Sequence, residues 1–587
     1  MLEVRGLSVF LRDGEVSLLK QVHLSWPRKH LGAILGPSGC GKTTLLKTLA
    51  GILDYEEGEI LWQGKDVKVC DIPLGDLGYV PQFSMARDVL TVEENLELTL
   101  SLRCGGLSSE ERRDRVDRVL EEVGLREIRD REVRVLSGGQ RRRLGLALEL
   151  LSDPPLILCD EVTSGLDPRS EDEIVRLLWR LAHEEERLVL SVTHSLEHLE
   201  FYDSVTLLHG GYVVFQGHPA SLLNYLSVEH AEQIYSRLND ATPQEWGRYW
   251  KASRESYAHE LGEPCPNRMS ETLGEIEPSK LEKANDEKQY EQEGSGKEPT
   301  GDGVPGVVAQ IWILTRWRWR LFFRDRGTLG LQVLILISFP ALVVLFAWDG
   351  LPQIQNMSME RSESFFVELK ERLNFTVQGM KVGSLVSGLV MFQVILLALM
   401  ASNNGAREVA AERLLYEKDR LSGMSPTAYG VSKFMFLGLL TAVQSAWMAG
   451  FVKWVCGFPG EVGEQTLILW ALNFSVTMTC LAISSWARSP ERASLTALYV
   501  VGFQLPLSGA VLALPEWLES YVQPFVAAYW GWSGYLQTLQ ATRFYDLVVM
   551  VSQTELSPWM HCMWVLMCHG LISAVAVWMG LQQCMWE

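Results

Sequence analysis

Residues 36–43 read Gly36-Pro37-Ser38-Gly39-Cys40-Gly41-Lys42-Thr43, and a second threonine, Thr44, follows. The preceding run, Leu31–Leu35, is short and apolar, which predicts a buried strand that leads into this loop. The pattern G-x-x-x-x-G-K-[ST] is typical of a phosphate-binding loop, because its glycines let successive backbone N–H groups turn toward phosphate oxygens at the start of a helix. In such a loop Lys42 brings a positive charge to the β- and γ-phosphates, and the Thr43 hydroxyl ligates Mg²⁺. The loop therefore predicts an α/β domain that binds a nucleoside triphosphate through residues 36–44.

A second apolar run ends in two carboxylates. Residues 156–159 read Leu-Ile-Leu-Cys, and Asp160 and Glu161 follow directly. A strand that is buried on both faces belongs to a parallel sheet, and ligands bind at the carboxyl ends of such strands. We expect Asp160 to hold the Mg²⁺ shell and Glu161 to act as the general base that polarises the attacking water.

A third stretch, Ser137-Gly138-Gly139-Gln140, opens a predicted helix that runs from Arg141 to Leu151. Ser137 is a good N-cap residue, and the two glycines leave backbone N–H groups uncovered, so this turn is also an anion site. One chain then has two phosphate sites, whereas one nucleotide has one γ-phosphate. This surplus predicts that two chains meet head to tail and enclose each nucleotide between them.

The second half of the chain is dominated by uncharged segments. Hydrophobic residues make up 47% of the 587 residues and charged residues 21%, but the charged residues are sparse beyond residue 329. Six segments are long enough to cross a hydrocarbon core of about 30 Å: Leu329–Trp348, Val382–Ser402, Phe434–Val452, Gln465–Ala487, Ala493–Pro515 and Leu556–Trp586. A further segment, Tyr521–Thr542, is broken up by Pro524, Gly531 and Gly534. We expect it to be re-entrant or to lie at the surface, and a seventh span is the alternative.

The distribution of charge indicates orientation and partners. Arginines and lysines precede the first span and occupy the loops after the second and fourth spans, which places those sides in the cytosol. The first residues, MLEVRGLSVF, lack the features of a signal peptide, so we expect the first domain in the cytoplasm and the spans in the plasma (inner) membrane. A net charge of −19 disfavours a nucleic-acid partner. Ten cysteines without a C-x-x-C pair disfavour a zinc module and a disulfide scaffold.

These patterns predict four segments: a nucleotide-binding domain at residues 1–225, a connecting segment with an acidic flexible linker at 226–304, an interfacial amphipathic helix at 305–327 and a six-helix transmembrane domain at 328–587. The linker composition is typical of a mobile segment, and a regulatory tail is the alternative. The amphipathic helix has three tryptophans among five arginines, which favours a position at the lipid headgroups over a soluble connecting helix. Within the last segment we expect a cytosolic coupling loop at 403–432 and an outer loop at 516–556.

Taken in order, GPSGCGKT at 36–43, LSGGQ at 136–140 and LILCDEVTSGLDP at 156–168 resemble the nucleotide-binding domain of ATP-binding-cassette (ABC) transporters. A nucleotide-binding domain ahead of six spans resembles the G subfamily of half-transporters, and the loop from Ala406 to Lys433 resembles the cytosolic helix that follows the second span in that subfamily. The resemblance implies an α/β P-loop NTPase (ABC ATPase) domain followed by an all-α polytopic transmembrane domain of six helices. It also implies ATP and Mg²⁺ as cofactors, and a second copy of the chain or a homologous half-transporter as partner.

Residue by residue, the resemblance implies further roles in the ATP site. Phe10 matches the aromatic residue that stacks on adenine, although a core position in a strand is the alternative. Gln82 matches the glutamine that joins the Mg²⁺ and water network, and His194 matches the switch histidine that contacts the γ-phosphate. Asp167 matches the residue that crosses to the partner's site.

Polar side chains are few within the predicted spans, which favours an apolar or amphipathic cargo such as a lipid or a drug-like molecule. In the family the cargo cavity lies between the second and fifth spans of both protomers, so the resemblance implies four candidate contacts: Phe392, Gln393, Phe503 and Gln504. Packing and hydrogen bonding between helices is the alternative role for these residues. Three functions stay open: an ATP-driven exporter, a membrane ATPase that acts mechanically on a partner protein or lipid, and a nucleotide sensor that hydrolyses poorly. The intact catalytic residues disfavour the sensor.

Overall fold

The computed structural model describes residues 1–10, 17–70, 72–73, 75–82, 85–257, 303–348, 365–508, 515–552 and 556–583. The chain forms two compact units: Met1–Pro305 with Leu421–Gly423, and Gly306–Arg420 with Met424–Glu587. The acidic linker that the sequence predicts falls almost entirely on residues 258–302, which lie outside the described residues.

The described part of the first unit contains ten strands: β1 (Leu2–Phe10), β2 (Ser17–Trp26), β3 (His30–Leu35), β4 (Glu57–Trp62), β5 (Lys65–Asp66), β6 (Leu77–Val80), β7 (Leu156–Asp160), β8 (Leu188–Val192), β9 (Ser204–His209) and β10 (Tyr212–Gly217). The larger sheet has the order β10-β9-β3-β8-β7-β6. Neighbouring strands from β9 to β6 are parallel, and β10 is antiparallel to β9. Every residue of β3, β7 and β8 is buried, as expected for parallel strands that helices cover on both faces. The smaller sheet, β2-β1-β4-β5, is antiparallel.

The helices of this unit are α1 (Lys42–Leu49), α2 (Val92–Arg103), α3 (Ser109–Glu122), α4 (Gly138–Leu150), α5 (Pro168–His183), α6 (Pro219–Leu226), α7 (Ile234–Leu238) and α8 (Pro243–Tyr257). Helix α5 begins at Pro168 because the Asp167 side chain caps it and proline suits the first helical position. The unit continues past residue 225, since the rings of Phe215 in β10 and Trp250 in α8 lie 5.4 Å apart.

Among its described residues the second unit contains helices and their connections, with no strand. Its helices are α9 (Val307–Arg324), α10 (Arg326–Ala347), α11 (Phe365–Gly405), α12 (Arg413–Leu421), α13 (Pro426–Cys456), α14 (Val462–Trp486), α15 (Pro490–Gly502), α16 (Gln504–Leu507), α17 (Glu516–Val522), α18 (Ala527–Gln537), α19 (Arg543–Val551) and α20 (Trp559–Gln582). Helix α9 covers the predicted amphipathic helix. It buries Gln310 and Leu314 within its unit and exposes Trp312.

Five helices among the described residues are long and apolar enough to cross a membrane, and they coincide with the first, second, third, fourth and sixth predicted spans. They are α10, α11, α13, α14 and α20. The predicted fifth span, Ala493–Pro515, contains α15 and α16, and residues 509–514 lie outside the described residues. That span, and with it the count of six, stays a prediction.

The segment Tyr521–Thr542 does not form one long helix. Its main helix, α18, has 11 residues and is about 16 Å long at about 1.5 Å per residue, which is too short to cross the hydrocarbon core. All but its last residue are buried within the unit, rather than at the surface. The Cβ atom of a larger residue at Gly534 would lie 2.7 Å from the Ile468 side chain of α14. The glycine therefore allows α18 to lie close against α14, whereas the sequence presents it only as an interruption.

Candidate nucleotide-binding site

The phosphate loop joins β3 to α1. Gly41 has φ +104°, a left-handed conformation that favours glycine, and α1 begins at the next residue. A Cβ atom at Gly41 would lie 2.9 Å from Leu19 Cδ2 in β2, so the loop lies directly against that strand. From the other side, the backbone N–H of Gly211, in the turn between β9 and β10, donates to the Cys40 carbonyl at 3.1 Å. These contacts fix the loop backbone from two directions.

Lys42 is 5% exposed and its ammonium lies inside the loop. Nζ donates to the carbonyl oxygens of Gly36 at 2.8 Å and Pro37 at 3.0 Å. The charge is therefore held at the centre of the turn in which backbone N–H groups and a cation together suit phosphate oxygens.

Thr43 and Asp160 meet across the sheet. The Thr43 hydroxyl donates to Asp160 Oδ1 at 3.1 Å, and the hydroxyl of Tyr79 in β6 donates to Asp160 Oδ2 at 3.5 Å. Burial raises the pKa of Asp160, and the bond from Thr43 opposes that shift. Burial and the neighbouring Asp160 carboxylate raise the pKa of Tyr79, so it stays a neutral donor. A hydroxyl and a carboxylate are hard oxygen donors of the type that Mg²⁺ prefers.

Glu161 follows β7 and is held at both carboxylate oxygens. Gln82 Nε2 donates to Oε2 at 2.8 Å, and His194 Nε2 lies 2.8 Å from Oε1. The three residues follow β6, β7 and β8 respectively, and the strand order places those carboxyl ends side by side. Glu161 also has φ +51°, which is uncommon for a residue other than glycine and turns its side chain into this position. The structure thus brings together three residues that are spread over 112 positions of the sequence, from Gln82 to His194.

Phe10 lies near the phosphate loop, and Cys40 is part of it. Phe10 pairs with Ser17, two residues before the Leu19 that touches the loop, and its ring is partly exposed. Its position next to the loop suits contact with a bound nucleotide. Cys40 is buried within the loop, and burial raises the pKa of its thiol, so the thiol stays protonated.

The turn Ser137–Gln140 begins α4 with a reciprocal cap. The Gln140 N–H donates to Ser137 Oγ at 3.3 Å and the Ser137 N–H donates to Gln140 Oε1 at 3.1 Å. A Cβ atom at Gly139 would lie 3.1 Å from Ser170 Oγ, and the Ser170 N–H donates to the exposed Asp167 at 3.0 Å. Gly138, Gly139 and Asp167 therefore belong to one surface at the N-termini of α4 and α5. Among the described residues, no hydrogen bond joins this surface to the phosphate loop of the same chain.

The four candidate cargo contacts lie in different environments. The Phe392 ring packs against Phe346 with centroids 5.2 Å apart, and Phe503 is 59% exposed. Gln504 Oε1 accepts from the Ala528 N–H of α18 at 3.0 Å, which is the interhelical bonding that the alternative describes. Gln393 is fully buried, and neither of its amide atoms has a partner among the described residues. Among those residues no hydrogen bond or ring contact joins the four.

Sequence reasoning gave no role to Tyr79, although it lies in the same run as Gln82. The feature of the sequence that could have indicated a role is a tyrosine near the end of a predicted buried strand, because a buried tyrosine hydroxyl needs a polar partner. Gly211 carried no signal at all, because its contact with Cys40 depends on the fold of a distant hairpin.

Comparison with known proteins places the two units in one class. The ABC transporter family matches residues 19–164 and the ABC-2 type transporter family matches residues 309–539. The chain belongs to the ABC transporters, with the ATPase domain ahead of a multi-pass membrane domain in the arrangement of a half-transporter. It is 28% identical over 570 residues to the ABC transporter ATP-binding/permease protein of Mycobacterium tuberculosis, covering 94% of this chain and 58% of that protein.

Two further relatives match part of the chain. The sulfate/thiosulfate import ATP-binding protein CysA of Pectobacterium atrosepticum is 32% identical over 41% of this chain and 72% of its own length. The broad substrate specificity ATP-binding cassette transporter ABCG2 of Mus musculus is 34% identical over 34% of this chain and 31% of its own length. The matched part of the chain thus spans less than two thirds of the length of the mycobacterial and mouse relatives.

Proposed function

We propose that this protein is an ATP-driven membrane transporter that works as a dimer of half-transporters and exports an apolar or amphipathic molecule. The observation that carries the proposal is Glu161, whose carboxylate is held by Gln82 and His194 beside the Thr43–Asp160 pair. A carboxylate in this position can orient and deprotonate a water molecule for attack on a γ-phosphate. Family membership supports the coupling of ATP hydrolysis to transport.

In the proposed reaction the loop N–H groups and Lys42 bind the phosphates, and Lys42 exchanges its two loop carbonyls for phosphate oxygens. Thr43 and Asp160 would hold Mg²⁺ together with Gln82, and a bound Mg²⁺ would supply positive charge to offset the charge that develops on the phosphates. Glu161 accepts the proton of the water, and His194 keeps the carboxylate oriented. The Tyr79 hydroxyl donates to Asp160 Oδ2 and so keeps the other carboxylate oxygen, Oδ1, turned toward Thr43.

A second copy would complete the site. The surface formed by Gly138, Gly139 and Asp167 contains a helix N-terminus that suits a γ-phosphate. Among the described residues no hydrogen bond joins it to the phosphate loop of its own chain, which favours a partner's nucleotide. ATP at both interfaces would then stabilise the closed dimer, and hydrolysis would release it. A homologous half-transporter could supply the same surface.

The cargo proposal rests on the apolar character of the spans. Leu495, Leu498 and Tyr499 of α15 form an exposed apolar stripe with Phe503, the residue that follows the helix. The stripe suits an apolar or amphipathic cargo at the dimer seam, with Phe392, Gln393 and Gln504 as further candidate contacts.

The proposal is tested with the full chain in sealed proteoliposomes, with the nucleotide-binding domains outward. We expect Mg²⁺-ATP to drive a fluorescent phospholipid analogue or a lipophilic dye into the vesicle, and Glu161→Gln to abolish both accumulation and ATP turnover. ATP turnover without accumulation of any amphiphile in the panel would contradict the exporter and favour mechanical action on a partner or lipid. Absence of turnover in the unmodified chain would refute the ATPase itself.

A further inference from the structure

Helix α12 binds the ends of two other helices of the membrane unit. Arg413, at its first position, is 7% exposed and uses all five of its N–H groups. Nε donates to Glu417 at 2.9 Å. Nη1 donates to the carbonyls of Ser485 at 3.0 Å and Gly580 at 3.3 Å, and Nη2 donates to those of Gly580 at 3.3 Å and Gln583 at 2.5 Å. One guanidinium therefore joins the last turn of α14 to the last turn of α20.

Two more side chains of α12 extend this contact. The Tyr416 hydroxyl donates to the Leu581 carbonyl at 2.6 Å, and Arg420 Nη1 donates to the Gln582 carbonyl at 3.1 Å. Just before α12, two consecutive backbone N–H groups donate to Ser484 Oγ of α14 at 3.1 and 3.0 Å. We call Arg413, Tyr416 and Arg420 the end clamp.

The end clamp satisfies groups that a helix cannot satisfy by itself. The last four carbonyls of an α-helix lack an intrahelical partner, and a cation near that end is favoured by the helix dipole. In α20 the end clamp takes three of those four carbonyls, at Gly580, Leu581 and Gln582. Gly580 and Leu581 are buried, whereas Gln582 is exposed. Losing the partners of the first two carbonyls therefore costs more free energy than losing a bond at an exposed helix end.

One guanidinium can serve two helices because those helices converge at Gly580. A Cβ atom at that position would lie 2.5 Å from Ser485 Oγ, so only glycine permits the two last turns to come so close. The planar guanidinium of arginine then reaches the carbonyls of both helices. A lysine ammonium, with three donors on one nitrogen atom, cannot make the same set of bonds.

We propose that Arg413 is a positioning residue that makes the ends of α14 and α20 follow α12 during the ATP cycle. Chain connectivity joins α12 to α11 and α13 alone. The end clamp adds α14 and α20, so that a displacement of α12 reaches four membrane-length helices instead of two. The inference rests on the proposed function, because it assigns a path for motion that ATP binding starts.

Amide hydrogen exchange of the full chain in lipid nanodiscs tests this, with and without Mg²⁺-ATP. The Glu161→Gln background holds ATP, and three peptides are compared: residues 36–44 of the phosphate loop, the end of α14 and the end of α20. Arg413→Met removes the guanidinium, and Arg413→Lys keeps the charge alone. Arg488→Lys is the matched control, since Arg488 is an exposed arginine two residues beyond the end of α14.

In the parent chain we expect ATP to change exchange in all three peptides. Arg413→Met abolishes the ATP-linked change at both helix ends and leaves that of the phosphate loop intact. It also gives roughly fivefold to thirtyfold faster exchange at those ends, the factor expected for one or two lost helix-end contacts. Arg413→Lys and Tyr416→Phe give intermediate losses and keep the inference testable if the methionine variant does not fold, and Arg488→Lys changes nothing.

A purely structural role predicts a different result, namely faster exchange at the helix ends with the ATP-linked change preserved in Arg413→Met and Arg413→Lys. That result overturns the inference and leaves the proposed function standing. If ATP fails to protect the phosphate loop of the parent chain, the proposed function fails, and the inference fails with it.

Discussion

Replacement of Glu161 by glutamine separates catalysis from nucleotide binding. The carboxylate accepts from Gln82 and His194 at 2.8 Å each, and its side chain is 15% exposed. A glutamine of the same shape can accept from Gln82 through its oxygen. Its amide can donate to His194 once that ring takes the other tautomer. Both contacts therefore survive, and we expect the folding stability to change by less than about 1 kcal/mol.

The loss in catalysis is much larger. General-base catalysis contributes about 10²–10⁴ in rate, which corresponds to roughly 3–5.5 kcal/mol of activation free energy. An amide cannot accept the proton of the attacking water at neutral pH. Because this term exceeds the structural one several-fold, turnover should fall by about two to four orders of magnitude while ATP affinity stays within about threefold.

Phosphate release at saturating Mg²⁺-ATP gives the turnover, and retention of radiolabelled ATP gives the affinity. Glu197→Gln is the matched control, because Glu197 is an exposed glutamate on the loop that carries His194. Turnover within a few-fold of the parent chain in Glu161→Gln would refute the assignment, since another group would then have to act as the base.

Three further predictions follow from the same structure. Lys42→Ala should weaken ATP binding by about tenfold to a hundredfold, because charge-assisted bonds contribute about 1.5–3 kcal/mol, and an affinity within twofold of the parent chain contradicts this. Burial lowers the pKa of His30 from 6.5 to about 4, so the unfolded chain takes up a proton at a higher pH than the folded chain does. The contribution of neutral His30 to the free energy of unfolding is therefore fully present above pH 6.5 and is lost as the pH falls toward 4. Between pH 7 and 5 the first unit should lose about 2 kcal/mol, seen as a lower temperature for loss of ATP binding, and His30→Gln should reduce that slope. Gly534→Ala should lower the free energy of unfolding of the second unit by about 1–3 kcal/mol, because the added methyl group meets Ile468. Gly450→Ala is the control, since a Cβ atom there meets open space, and it should raise the free energy of unfolding slightly. Equal effects of the two substitutions in thermal unfolding would contradict the packing argument.

The sequence by itself determined the features that local chemistry encodes. A phosphate loop is a run of eight residues whose glycines and lysine specify its backbone and charge, so Gly36–Thr43 could be placed without any knowledge of the fold. Membrane-length helices are likewise local, because a run of apolar residues must satisfy its backbone within itself. Ser137 also acts as the predicted local cap, since a helix N-terminus is decided within four residues.

Only the tertiary structure decided which distant groups meet. Gln82, Glu161 and His194 converge because β6, β7 and β8 are neighbours in the sheet, and strand order is not written in any one strand. Arg413 caps a carbonyl at Gly580, 167 positions away, and only the convergence of α14 and α20 makes that bond possible. Gly534 looked like an interruption and is a contact point, for the same reason. Local patterns fix which backbone a segment adopts, whereas partners across the fold depend on how whole elements pack, and that packing is a property of the complete chain.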